Sequence, residues 1–383
     1  MGLLGASQIA GGLLGFCFTV VTARTLSAPD FGLFQALLGI FGLVSFIVFS
    51  LQVTTLHYVG ASPAGERPLW AGEFLCAGFF LACAVSLVFF VLSPWLMKVL
   101  KSSDYSAFLA LDLLLFLAIP LSVFYGIFYS HHRYRSTAAA QIVESSALLL
   151  SGILLLKLGW NVTGAVSAYL GGRILVLGYC LSQKSLYRFP EGNNYLAGRK
   201  GEFLRMMAAF GVLFSIIHLP MVAARIRLTA EMSGTFGVLY HLRSTVWPLA
   251  LSVAMPFYAV TVSGGGEQKK MLVKALVLVG LLSLGFIAVG KFFPELLISG
   301  LYGEKFLGAA PFMPFYGLSL FLQMSLMIFV FRDMAQNRFR PVLLSLTLGI
   351  LAAGLCFSST VPALISAQIA ACAGYFLGRL LKR

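Results

Sequence analysis

Charge is what this sequence has least of. Only 10% of its 383 residues are charged, against about 25% in a water-soluble domain. Its 13 acidic residues and five histidines gather into no polar segment, so it lacks the ordered catalytic region that a membrane glycosyltransferase or polymerase requires. The basic turn HHRYR at 131–135 stands alone, with no nearby cysteine and no HExxH pattern, which argues against a metal site. The triple glycine at 264–266 is not followed by Gly-Lys-Ser/Thr, so direct ATP hydrolysis is excluded as well. Six cysteines fall inside apolar runs without a CxxC spacing and read as small buried hydrophobes rather than disulfides or ligands. Nothing here calls for a cofactor or an enzyme.

What the sequence has is apolar length. Hydrophobic residues make up 59% of it, and runs long enough to cross a hydrocarbon core of roughly 30 Å recur from end to end. They are continuous rather than alternating, which excludes a β-barrel. Twelve helical spans are expected, at 2–24, 32–55, 71–97, 107–130, 137–157, 161–182, 203–224, 235–260, 271–292, 310–331, 341–357 and 360–381. The last two are separated by SSTVP, where Pro362 disfavours helix in the residue before it. The first run lacks a basic leader and is too long for a signal-peptide core, so it reads as a retained helix, with a short amphipathic leader expected ahead of it.

Lysine and arginine placement sets the orientation. With the N-terminus cytoplasmic, seventeen of the 27 fall on the inner side and eight on the outer, which supports both termini inside. The net charge of +14 is then explained by basic inner loops facing anionic headgroups. No compact soluble domain is left to hold nucleic acid.

The chain also repeats itself. LSAPDFGLF from Leu26 and LTAEMSGTF from Leu228 share Leu, Ala, Gly and Phe at an offset of 202. VTGAVSAYL from Val162 and VPALISAQI from Val361 echo one another at an offset of 199. Six helices separate the repeats, an even number, so the halves keep the same orientation in the membrane. The expected architecture is all-α: about twelve transmembrane helices in two parallel six-helix lobes around a central cavity. The lobes are 1–182 and 203–383, joined by a polar cytoplasmic linker at 183–202.

The pattern formed by Thr22, Ala23, Arg24, Leu26, Phe31 and Gly32 resembles the first-hairpin signature of polysaccharide (O-antigen repeat-unit) flippases, in the MATE-like multidrug/oligosaccharidyl-lipid/polysaccharide exporter superfamily. The stretch from YGIFYSHHRYR to VTGAVSAYL is similar to that family's fourth-to-sixth helix region, and LLISGLYGEKFLGAAPFMPFY to its segment entering the tenth helix. The resemblance implies a multi-pass protein of the bacterial cytoplasmic membrane. Its cargo would be an oligosaccharide on undecaprenyl pyrophosphate, turned to the outer leaflet by alternating access. Membrane lipids, the polysaccharide polymerase and other assembly proteins are its implied partners.

A pyrophosphate crossing hydrocarbon needs cations, and arginine supplies a planar fork of donors that stays charged. Arg24, Arg225 and Arg227 lie at the outer ends of the first and seventh helices, as cavity contacts or as interfacial anchors. Arg225 and Arg227, two residues apart, point to different faces. Arg243, about eight residues inside the eighth span, needs a partner or water at that depth. Arg173 either lines the cavity or pairs with Glu144. Asp112, Glu144 and His218 are the candidates for ion coupling, or else structural hydrogen-bonding groups. Gly11 with Gly15, and Gly374 with Gly378, form close-packing faces, and Pro120, Pro220, Pro248 and Pro256 interrupt helices. Three other readings stand: a cation-coupled multidrug exporter, disfavoured by the absence of an acid on the first helix; a lipid II flippase, which usually has two further helices; and a non-transporting scaffold of a polysaccharide-assembly complex.

Overall fold

The computed structural model describes residues 2–189, 200–244, 246, 268–336 and 340–381. Among these it contains helices and no strand. In chain order they are α1 Gly2–Thr25, α2 Ala28–Ala61, α3 Arg67–Val99, α4 Tyr105–Ser130, α5 Tyr134–Lys157, α6 Asn161–Ser182, α7 Lys200–Arg227, α8 over 230–244, α9 Gln268–Phe292, α10 Pro294–Leu301, α11 Met313–Ala335, α12 Pro341–Phe357 and α13 Val361–Leu381. Ten helical stretches among the described residues are long and apolar enough to cross a membrane, and α12 is a shorter apolar helix. The protein is therefore a multi-pass membrane protein. The rest of the expected eighth span, Pro248, Pro256, the triple glycine and half of the expected linker lie outside the described residues.

Helix ends fall where the sequence offers caps. The Asp104 carboxylate accepts the Ala107 N–H at 3.1 Å and starts α4. Pro294, Pro341 and Pro362 sit in the first turns of α10, α12 and α13, where a missing N–H costs nothing. Gly159, at φ +80°, closes α5 in the left-handed conformation that glycine adopts freely. Two features went unexpected. Several helices run past their predicted ends, α2 for 34 residues or about 51 Å. The segment before α11 is a short helix, α10, followed by a 3₁₀ stretch, Glu304–Phe312.

Packing gathers the chain into two units, one of Met1–Thr22 with Val44–Phe210 and one of Ala23–Leu43 with Gly211–Arg383. The first is organised around α4, whose Ile119, Val123, Phe124, Ile127 and Phe128 form an apolar core with Val59, Phe74, Val176 and Cys180. Behind α6 the chain turns back, and the Arg188 N–H reaches the Pro68 carbonyl at 2.7 Å. Of the expected glycine faces, Gly374 and Gly378 meet Ile350 and Leu343, and Gly11 meets Ser145, but Gly15 faces open space. Cys180 and Cys372 are buried, whereas Cys17, Cys83 and Cys356 are exposed, so the expectation of uniformly buried cysteines is corrected for those three. In apolar helices that face hydrocarbon, a small thiol is tolerated on the outer surface as readily as inside.

The second unit brings the two copies of the repeat together. The α1–α2 turn and the α7–α8 turn fall at the same repeat positions, Thr25/Ala28 against Arg227/230. Ser27 Oγ accepts the Asp30 N–H, and Thr229 Oγ1 accepts the Met232 N–H, both at 3.2 Å. Leu26 and Leu228 are both buried, as are Phe34 and Phe236. At the contact between these hairpins stand Gly32 and Gly234. A methyl group on Gly32 would lie 2.3 Å from Ser233 Oγ and 2.7 Å from the Gly234 nitrogen, and one on Gly234 would lie 2.2 Å from the Ala28 carbonyl oxygen. Backbone must meet backbone here, which is what small residues permit between membrane helices.

Gly32→Ala should therefore lower stability by about 1–3 kcal/mol, the usual cost of overpacking. Gly12→Ala, with nothing within 4 Å, should be neutral or stabilising. Thermal unfolding of the two variants in detergent checks the contrast.

Candidate functional site

Several cations at the helix ends of the second unit bond to backbone carbonyls. Arg24 Nε donates to the Leu301 carbonyl at 2.9 Å, and its terminal nitrogen donates to Gly300. Both acceptors belong to the last turn of α10. In return Lys305 Nζ donates to the carbonyls of Leu26 and, at 3.3 Å, of Arg24, at the end of α1. Arg227 donates to the Cys356 carbonyl in the last turn of α12. Each of these cations thus meets the unsatisfied, partly negative carbonyls of a helix C-terminus. Arg225 is buried and donates to the Pro29 carbonyl at 3.0 Å and to Ser233 Oγ at 3.3 Å. Its neighbour Arg227 is exposed, so the pair does face two ways.

Arg243 is a different case. Because α8 begins at 230, Arg243 lies thirteen residues along it, about 20 Å deep. It is only 2% exposed. One terminal nitrogen donates to the Ile217 carbonyl at 2.6 Å and faces Gln323 Oε1 at 3.5 Å, and the guanidinium sits 4.5 Å over the Tyr240 ring. Pro220, three residues beyond Ile217 in α7, has no N–H to donate to the carbonyl of Ile216, the residue before. Gln323 is held from behind: its amide nitrogen donates to Ser319 Oγ at 2.8 Å and to Gln368 Oε1 at 2.6 Å, all three side chains being fully buried. Its carbonyl end is thereby turned to the arginine. Arg243 Nε is buried and has no partner among the described residues, and no carboxylate there pairs with Arg243.

His218 joins the same group. Its Nδ1 is hydrogen-bonded to the Tyr240 hydroxyl, and its ring stacks on Phe214. Gly42 of α2 makes the room, since a methyl there would stand 2.2 Å from Nδ1. Gln35, a turn and more earlier on α2, packs against Gly237 of α8 and leaves a buried amide nitrogen without a partner among the described residues. His241 points elsewhere and bonds the Tyr302 hydroxyl at 2.7 Å.

In the first unit Arg173 and Glu144 form an ion pair, Nε to Oε1 at 3.0 Å, with Tyr125 donating to the other carboxylate oxygen, also at 3.0 Å. Asp112 lies near Ser86, and its Oδ1 is buried without a partner among the described residues. The structure thus joins Arg243 to His218, and Arg173 to Glu144, and brings Asp112 to neither pair. In the HHRYR turn His131 is driven below its ordinary pKa by burial and by the neighbouring Arg67 and Arg133. No group of three metal-ligating side chains occurs among the described residues. Sequence reasoning missed Asp333, which binds Arg379 through both oxygens at 2.6 and 2.8 Å and lies 3.5 Å from Arg340. It also missed Gln35, Gln323 and Gln368, whose one signal was an amide side chain inside an otherwise apolar run.

The Arg173–Glu144 pair should be structural in its energetics. Arg173→Leu alone, leaving a carboxylate in an apolar bundle, should cost about 3 kcal/mol or more, and adding Glu144→Leu should recover most of that loss. Melting temperatures of the two single variants and the double variant measure this coupling.

No protein-family model matches the sequence, and no curated protein matches it. Solved structures do. The fold is similar to that of the lipid II flippase MurJ in an inward closed conformation, with a TM-score of 0.73 and 12% identity over 99% of this chain and 88% of that one. An inward-facing multidrug resistance MATE family transporter of the MOP superfamily gives 0.68 at 15% identity, over 99% and 94%. A MOP superfamily transporter from Pyrococcus furiosus, described as having a binding pocket of reverse polarity, gives 0.68 at 14%, over 99% and 94%. At such identities the likeness is one of fold: this is an all-α, multi-pass membrane protein with the architecture that MATE transporters share with MurJ.

Proposed function

We propose that the protein is a transporter that moves a lipid-linked, anionic oligosaccharide, an undecaprenyl-pyrophosphate glycan, from the cytoplasmic to the outer leaflet of a bacterial cytoplasmic membrane for polysaccharide biosynthesis. The observation that carries this reading is Arg243, a permanent cation 2% exposed with an unsatisfied Nε and no carboxylate partner among the described residues. A charge at the centre of a membrane helix costs roughly 2.5–3.5 kcal/mol even on the most lenient scale. Keeping it without a carboxylate makes sense where an anion supplies the counter-charge for part of a cycle. The Gln35 amide, like Arg243 Nε, is a buried donor without an acceptor among the described residues. Both call for a ligand that accepts hydrogen bonds, as phosphoryl oxygens do.

In this reading residues 1–182 and 203–383 act as two lobes that rock about the linker at 183–202, opening toward one leaflet and then the other. Arg24, Arg225 and Arg227 join the helix ends against which such motion works, and the two hairpins of the repeat form a common abutment. A cationic drug would meet repulsion at Arg243, which disfavours the multidrug-export alternative. The similarity to MurJ keeps a second lipid-linked anion, lipid II, as the alternative cargo of the same chemistry.

Gln323→Glu tests the reading directly, because it places a built-in counter-ion beside Arg243. Leaflet transfer of a fluorescent undecaprenyl-pyrophosphate oligosaccharide in proteoliposomes should fall at least about tenfold, an effect of roughly 1.4 kcal/mol on cargo binding, in protein that thermal melts show to be folded. Transfer at the wild-type rate in a well-folded Gln323→Glu protein would make Arg243 a structural residue.

A further inference from the structure

The Arg243 group contains a second titratable side chain whose placement the anion site alone does not explain. His218, partly exposed, is held by Tyr240, and Tyr240 in turn lies beneath the Arg243 guanidinium. Among the described residues the groups facing this histidine are few: Tyr240 and Arg243 from α8, Phe214 from its own helix and Gly42 from α2, with Tyr316 of α11 interacting electrostatically with Tyr240 and Arg243. No carboxylate is among them. An imidazolium at His218 would add a second positive charge to an interior that already holds one without a counter-ion, and in a medium of low dielectric that opposition reaches across several ångströms. An anion at Arg243 removes it.

Resting on the reading of Arg243 as an anion site, we propose that His218 takes up one proton when the diphosphate of the cargo binds there, with Tyr240 as the bridge. The hydrogen bonding balances in both states. As a neutral ring, His218 accepts the phenolic hydrogen at Nδ1. When a proton from water forms a new N–H bond at Nδ1, the imidazolium donates to the phenol oxygen instead. The Tyr240 hydroxyl hydrogen is then free to turn toward the anion. Protonation therefore converts Tyr240 from a donor spent on histidine into a donor available to phosphate, and proton and anion strengthen one another's binding by the same factor. A consequence for transport is that one proton travels with the cargo, which reduces by one the negative charge moved across the membrane potential.

The test uses the purified full-length chain in detergent micelles, with farnesyl diphosphate as the probe. Its binding is followed by calorimetry from pH 5.5 to 8.5 in pairs of buffers that differ in ionisation enthalpy. Wild type should take up about one proton per probe more than His218→Gln does, and its affinity should gain up to about tenfold per unit fall in pH over the linked range, relative to that variant. Tyr240→Phe, which keeps the ring under Arg243 and removes the bridge, should bind at alkaline pH and lose the extra proton. Thermal melts establish that each variant is folded. If His218→Gln retains the wild-type proton uptake and pH slope, the proton link is overturned and the anion site stands. If Arg243→Gln binds the probe as tightly as wild type, or wild type binds none, the anion site fails and this inference fails with it.

Discussion

A chain that lives in hydrocarbon must answer each of its own polar atoms, because no water is there to do it. The backbone does so by closing into helices, but helix formation leaves the last carbonyls of every helix unanswered, and the sequence has too few acids to neutralise its basic residues. The structure resolves both shortages with one another. Arg24 and Lys305 reach across to the carbonyls at the ends of α10 and α1, and Arg227 does the same for α12. A carboxylate serves where three helices are fixed at once, as at Asp333 between α11, α13 and the start of α12. Against this economy Arg243 stands apart: thirteen residues along α8, it bonds a carbonyl in the body of α7 rather than at a helix end.

Much of this was legible in the sequence, and the limits have physical causes. The membrane class followed from composition, because no other solvent tolerates such long apolar runs. The hairpin repeat was visible, and its turns, caps and buried positions coincide as an offset of 202 implies, since the same local code of Leu, Ser/Thr, Ala and Gly produces the same local structure. Arg243 and the Arg173–Glu144 pair announced themselves as charges in apolar surroundings. The carbonyl partners of Arg24, Arg227 and Lys305 could not be read, because a backbone acceptor carries no sequence signature. Gln323, Gln368 and Ser319 escaped for a related reason: an uncharged polar residue inside an apolar run looks tolerated until its neighbours are known to orient it.

The two glycines that meet where the repeated hairpins touch show how one constraint acts on two levels. Locally each occupies an ordinary helical position, and neither backbone needs glycine's conformational freedom. Only the approach of the other hairpin, with a backbone nitrogen 2.7 Å from where a Gly32 methyl would be, demands the absence of a side chain. The requirement is reciprocal, so the repeat preserves small residues at equivalent positions although the surrounding sequence has drifted apart.

The grips on helix ends have one more property. A carboxylate lets go of its arginine when acid protonates it, and salt weakens the bond by screening. A peptide carbonyl does neither, having no proton to gain in that range and no net charge to screen. The joints made by Arg24, Arg227 and Lys305 therefore hold in acid and brine alike. A protein that fastens its helix ends this way keeps its scaffold unmoved when the medium around those ends changes.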